Sequence, residues 1–241
     1  LTKVFKSGKR IHPSTVDRER IALSALFTFA VDNEYLPLDA HPVKRIKLPK
    51  GEKFRQRELT PDEEASLVRI CRTRPHLAYL EPIILTALNT GLRLGELLAL
   101  RWGNVDLTVR ELPGGTTSHG RITVESTNDS PTKARTTRFV PINRDLHKIL
   151  DALRLAVLCE ANATPGAIRG RTVFENPETG TRWVDIGNAW DSALEHAGIT
   201  GFRFHDLRHT FATRARRAGM PLEVLQKILG HSTIDLTMRY S

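Results

Sequence analysis

Residues 77–89 carry Leu80, Ile83, Ile84, Leu85, Ala87 and Leu88, apolar almost all the way round a helix. A helix with no polar face belongs in the centre of a domain, so the rest of the chain must wrap it. The approach to it is a helix start: in Thr60-Pro61-Asp62-Glu63 the threonine can cap, proline suits the first helical position, and the glutamate completes a capping box. This predicts a helix to about residue 72. Beyond the central helix, Gly91 breaks the chain and Leu92-Arg93-Leu94-Gly95-Glu96-Leu97 opens a short helix. Arg93 and Glu96, three apart, share a face there. A surface ion pair is the plain reading. The flanking Leu92, Leu94, Leu97, Leu98 and Leu100 favour a partly buried arginine oriented by its acid, a placement suited to gripping an oxyanion.

The period then changes from 3.6 to 2. Residues 105–109, 121–125 and 137–141 read as short strands of a small antiparallel sheet. The polar stretch 126–136 places Lys133 near a hairpin turn; taken alone it is an exposed loop lysine. Helical patterning returns at 143–161. A short strand is expected at 172–174, then helices at 185–197, 205–218 and 221–230, and a last one from Ser232. The expected class is mainly α with a small antiparallel β-sheet, α+β.

Ser14 to about residue 31 reads as a helix whose Ile21, Leu23, Leu26, Phe27 and Phe29 make a wider apolar face than residues 1–13 can cover. With a first residue that is not methionine, this points to a fragment lacking earlier helices. Residues 41–57, with Pro42, Pro49 and Gly51, read as an extended basic linker carrying Lys44, Arg45, Lys47, Lys50 and Lys53. The net charge of +9 is concentrated here: residues 1–57 hold 13 Lys/Arg against 6 Asp/Glu, the remainder 23 against 21. Such asymmetry points to a polyanion partner; the linker itself reads equally as a solvated connector or as a segment whose cations lie along nucleic-acid phosphates. The expected division is a partial helical domain at 1–40, a linker at 41–57 and a main domain at 58–241. No run approaches the roughly 18 apolar residues of a membrane span, so no membrane partner is expected. Cys71 and Cys159 are expected to be reduced, buried thiols of a cytoplasmic protein.

His205 and Arg208 share a helix face, with His209 beside them. Zinc is disfavoured, because Asp206 stands where the metalloprotease helix has glutamate and no third ligand follows. His231 follows a helix-ending glycine, and Tyr240 comes nine residues later. Singly, each is as consistent with packing as with chemistry. Together, two arginines, a lysine, histidines and a tyrosine are what metal-free phosphoryl transfer at a DNA phosphate needs: cations for the oxyanion, an acid for the leaving alkoxide, and a nucleophile whose pKa of about 10 requires help.

The blocks Thr90-Gly91-Leu92-Arg93-Leu94-Gly95-Glu96-Leu97, His205-Asp206-Leu207-Arg208-His209-Thr210-Phe211-Ala212 and Leu229-Gly230-His231-Ser232, with Tyr240 following, resemble the tyrosine recombinase (phage integrase) family in order and spacing. The likeness covers about 55–241, and 14–50 is similar to the end of that family's helical core-binding domain. The resemblance implies a site-specific recombinase or integrase of a phage or mobile element, acting on double-stranded DNA as a homotetramer and free as a monomer or weak oligomer, in the bacterial nucleoid. Arg93 and Arg208 would clamp the scissile phosphate, with Glu96 supporting Arg93. Lys133 would protonate the 5′ oxygen. His205 and His231 would assist, and Tyr240 would form a 3′-phosphotyrosyl link. No metal or nucleotide cofactor is implied. The family commonly has a further helix after the tyrosine, so Tyr240 is expected to be mobile or displaced in this chain. A chromosome-dimer resolvase, a type IB topoisomerase, and a non-enzymatic helix-turn-helix binder over 221–240 remain the alternatives.

Overall fold

The computed structural model describes residues 13–37, 41–43, 46, 57–125, 137–160 and 162–240. The chain divides into two compact units between Arg55 and Gln56. Lys44, Arg45, Lys47, Lys50, Lys53 and Lys133 lie outside the described residues.

In the first unit, α1 (Pro13–Asp32) runs through the predicted apolar stretch. Ile21, Leu23, Leu26 and Phe29 are 49–60% exposed. The stretch read as linker begins by folding back on α1. His41 Nε2 lies 3.3 Å from Thr28 Oγ1 and 3.2 Å from the Ser24 carbonyl, and Val43 is buried.

The second unit is mainly helical. The Thr60 capping box forms as expected: Glu63 N–H donates to Thr60 Oγ1, and the Glu63 carboxylate accepts from Thr60 N–H. It starts α2 (Pro61–Thr73), whose first turn carries Asp62, Glu63 and Glu64 at the positive end of the helix dipole. A 3-10 turn, Pro75–Leu77, leads into α3 (Leu80–Thr90), which buries Leu80, Ile83, Ile84, Ala87 and Leu88. The hydroxyls of Thr86 and Thr90, also buried, donate to carbonyls four residues back, so α3 leaves neither unsatisfied. Gly91 ends α3 at φ 64°, where a Cβ would stand 2.5 Å from the Phe211 ring and 2.8 Å from Leu229. Only glycine fits both the left-handed backbone and that space.

A short helix, α4 (Leu94–Leu98), follows, then two small sheets. The first pairs β1 (Val105–Asp106), β4 (Arg121–Val124) and β5 (Arg138–Pro141) antiparallel, in the order β1-β4-β5. The second is a hairpin of β2 (Arg110–Leu112) and β3 (Thr116–Ser118), absent from the sequence reading. The expected strand at 172–174 is only a single bridge between Arg101 and Thr172.

The remaining helices are α5 (Arg144–Glu160), α6 (Gly187–Ala197), α7 (Phe204–Arg217), α8 (Leu222–Leu229) and the single turn α9 (Asp235–Met238). α3 packs against α5 and α7, α2 against α6, and α8 against β5, so α3 is central as its composition requires. Ile84, with no exposed surface, is part of this core. Ile84→Ala is expected to cost about 2–5 kcal/mol, read as a lower urea midpoint; an unchanged midpoint would remove α3 from the core. Both cysteines are unbridged. Cys71 is buried, but Cys159 is exposed near the end of α5, which corrects the expectation of two buried thiols.

Candidate active site

Two helix starts and two helix ends build the site. At the start of α4, the Glu96 carboxylate turns back to accept from the Arg93 backbone N–H at 2.9 Å, while its other oxygen accepts from Arg93 Nη1 at 3.0 Å. The side chain of Glu96 is 6% exposed and that of Arg93 31%. Desolvation alone would raise the Glu96 pKa, but Arg138 and Arg93 outweigh it and hold the carboxyl below its ordinary value.

The start of α7 repeats the device. Asp206, 2% exposed, accepts from the Arg203 backbone N–H at 2.8 Å. This fixes the turn that carries His205, Arg208 and His209. Arg208 is 3% exposed and bridges two helix ends. Its Nη1 donates to the Gly91 carbonyl at 2.7 Å and its Nη2 to the Leu229 carbonyl at 2.6 Å. These belong to the C-terminal ends of α3 and α8, where carbonyls lack helical partners and a cation is favoured. Burial, then the like charge of Arg93, pulls the guanidinium down to about 9, which leaves it cationic at neutral pH.

α8 ends at Gly230 in the left-handed region, and His231 follows. His231 Nδ1 lies 2.8 Å from the hydroxyl of Thr237, which is fully buried. With Nδ1 so engaged, Nε2 is the nitrogen left for a ligand. Desolvation, then Arg208 and Arg93, pulls the His231 pKa to about 4. His205 is shifted the same way, to about 4, by desolvation and then His209, Arg208 and Arg93. The His205 residue is exposed, whereas His231 is half-buried.

A pH prediction follows from His231. In the fold it stays neutral down to about 4, whereas its ordinary value is 6.5. Below 6.5 the unfolded chain takes up a proton that the folded chain does not, so this contribution to stability is complete above 6.5 and is lost progressively towards 4. The thermal midpoint is expected to fall across that window, and to fall less in His231→Asn. Equal slopes in the two proteins would contradict it.

Tyr240 was expected to be displaced or mobile. Its ring packs against the cluster of Ala212, Leu225 and Leu229 and lies nearly parallel to His231, 6.4 Å between centroids. Its hydroxyl bonds to His209 Nδ1 at 2.6 Å, rather than to Arg93 or Arg208. Burial raises the phenol pKa, with Arg208 and Arg239 opposing. Burial also lowers the His209 pKa, Asp206 opposing and Arg208 assisting, which favours the neutral imidazole.

The structure thus gathers Arg93, Glu96, His205, Arg208, His209, His231 and Tyr240 into one cluster. Two residues that hold members of this cluster were not picked out from the sequence: Arg138, bonded to Glu96, and Thr237, bonded to His231. Arg138 shares the inward face of β5 with Val140, and that alternation was the available signal. Nothing marked Thr237. Among the described residues, no group of three His, Cys, Asp or Glu side chains could hold a metal ion. The helix-turn-helix alternative meets a second helix of only four residues, α9.

Residues 57–241 match the family model described as the phage integrase family. The chain belongs to the phage integrase family. Among its relatives in that family, it is 30% identical over 215 residues to an integrase of Salmonella phage P22, covering 88% of this chain and 50% of the relative. It is 31% identical over 240 residues to a shufflon-specific DNA recombinase of Escherichia coli, covering 98% of this chain and 53% of the relative. The chain therefore spans about half the length of these curated relatives. In fold it is similar to the Tn1549 transposon integrase solved with a circular intermediate DNA, with a TM-score of 0.72 at 22% identity, covering 95% of this chain and 75% of that one.

Proposed function

We propose that the protein is a site-specific DNA recombinase that cuts and rejoins strands through a 3′-phosphotyrosyl intermediate on Tyr240, serving a phage or mobile element. The observation that carries this is the tyrosine hydroxyl bonded to a histidine inside a cluster of buried and half-buried arginines.

In the reaction, Arg93 and Arg208 face the non-bridging oxygens of the scissile phosphate and offset the charge that builds in the pentacoordinate transition state. Arg208 uses two of its five N–H donors to hold Gly91 and Leu229, which leaves the others for the phosphate. His231 donates from Nε2, and His205 stands at the solvent side of the same centre. In the tautomer protonated on Nε2, His209 accepts the Tyr240 proton at Nδ1 as the phenolic oxygen bonds phosphorus. The P–O5′ bond breaks, and Lys133 gives the 5′ oxygen its proton. The phosphotyrosyl bond stores the energy of the phosphodiester, so a 5′-hydroxyl of a partner strand can reseal it without nucleotide or metal.

The supporting partner assignment is double-stranded DNA with a specific site, bound by four copies. Residues 1–40 serve as part of a DNA-binding domain, 41–57 as a basic linker and 58–241 as the catalytic domain. Lys44, Arg45, Lys47, Lys50 and Lys53 contact phosphates, which positions the protein without reading sequence. The place of action is the bacterial nucleoid. Among the described residues, no helix is long and apolar enough to cross a membrane. Incubation with a duplex nicked close to the cleavage point tests the reading. The short fragment diffuses away after attack and traps the adduct, and a protein that leaves such DNA uncut lacks the proposed activity.

A further inference from the structure

β5 directs Arg138 inward, and it is 9% exposed. Its Nη2 donates to Glu96 Oε2 at 2.6 Å, the oxygen that also accepts from the Arg93 backbone. Its Nε donates to the Ile228 carbonyl at 2.9 Å, at the end of α8. Its aliphatic stem lies against Gly230: a Cβ there would stand 3.0 Å from Arg138 Cδ and 3.1 Å from Nε. One side chain therefore touches the acid that orients Arg93, the last turn of α8, and the glycine ahead of His231. It also borders the same open pocket of about 790 Å³ as Arg93 and His231.

We propose that Arg138 is a positioning residue: it sets the separation between the Arg93–Glu96 pair and the turn carrying His231, so that both reach one phosphate. The proposal rests on the phosphoryl-transfer reading of the site. The planar guanidinium suits the task because its donors diverge in fixed directions, one to the carboxylate and one to the carbonyl. Lysine, a single point charge, can satisfy the acid but cannot hold both at that spacing. An apolar chain of similar volume could fill the space, and such replacements of buried ion pairs are often tolerated in stability. What it could not do is fix Glu96 relative to Ile228.

The test uses the whole chain and a nicked duplex built on the sequence that the protein selects from a randomised duplex pool. Arg138→Met is expected to bind that duplex as the parent does but to cleave it about 10²-fold more slowly, the scale of loss that follows from misplacing a reacting group by an ångström. The same pair of proteins is then compared on a duplex whose scissile phosphate is a methylphosphonate. That group carries no charge and depends less on Arg93, so the deficit is expected to shrink. Arg138→Lys keeps a cation on Glu96 and is expected to fall between the two proteins; it decides by the same criteria if the methionine variant does not fold. Parental cleavage rates in the variants, or a deficit of equal size on both substrates, would overturn the proposal. Absence of any adduct with the parent protein would instead overturn the functional reading on which it rests.

Discussion

Arg208→Ala is expected to slow single-turnover strand cleavage by about 10²–10³-fold or more, the loss typical of removing one preorganised donor from a developing oxyanion. It is also expected to weaken the fold, and the two effects have separable causes. Arg208 is 3% exposed and ties the Gly91 and Leu229 carbonyls at 2.7 and 2.6 Å. Truncation leaves both acceptors without that donor, at a cost of about 1–3 kcal/mol each. Arg208→Lys separates the contributions. It restores a charge near the phosphate but not the two-pronged hold on α3 and α8, so cleavage is expected to remain far below parental. Single-turnover rates and urea midpoints of the three proteins are the measurements. An alanine variant with parental rate and midpoint would mean that the guanidinium neither clamps the phosphate nor joins the two helix ends.

Tyr240→Phe is expected to abolish the covalent protein–DNA adduct while leaving DNA affinity intact. The ring keeps its packing against the cluster of Ala212, Leu225 and Leu229. What disappears is the hydroxyl and its 2.6 Å bond to His209, so the stability change is expected to be about 1 kcal/mol or less. A loss of adduct on this background isolates the nucleophile from the scaffold. Adduct persisting in the phenylalanine variant would place the nucleophile elsewhere.

Much of this architecture was readable because the signals were local and physically forced. The Thr60 box, the all-apolar face of α3 and the glycine after it each admit few structures, and the paired strands at 121–124 and 138–141 follow from period 2. The β2–β3 hairpin was not seen because it has no apolar alternation: Arg110, Glu111 and Leu112 are all exposed, and Pro113-Gly114-Gly115 was its one cue. At 172–174 the apolar residues suited a strand, yet the segment found only a bridge partner in Arg101. The site divides the same way. Arg93 stands at the cap of α4 with Glu96 three residues on, and His205 and Arg208 stand three apart within α7, so spacing reveals them. Arg138 and Thr237 act across the fold, on Glu96 and His231, and no spacing in the chain records a contact of that kind. The bond between Tyr240 and His209 spans 31 residues and belongs to the same class.

The most direct measurement is the identity of the residue joined to DNA. The protein is incubated with the nicked duplex, the adduct is digested with protease and nuclease, and the modified peptide is sequenced by mass spectrometry. The expected result is a single nucleotide remnant attached through its 3′ phosphate to Tyr240. Attachment through a 5′ phosphate, attachment to any other side chain, or cleavage with no covalent intermediate would contradict the proposed chemistry.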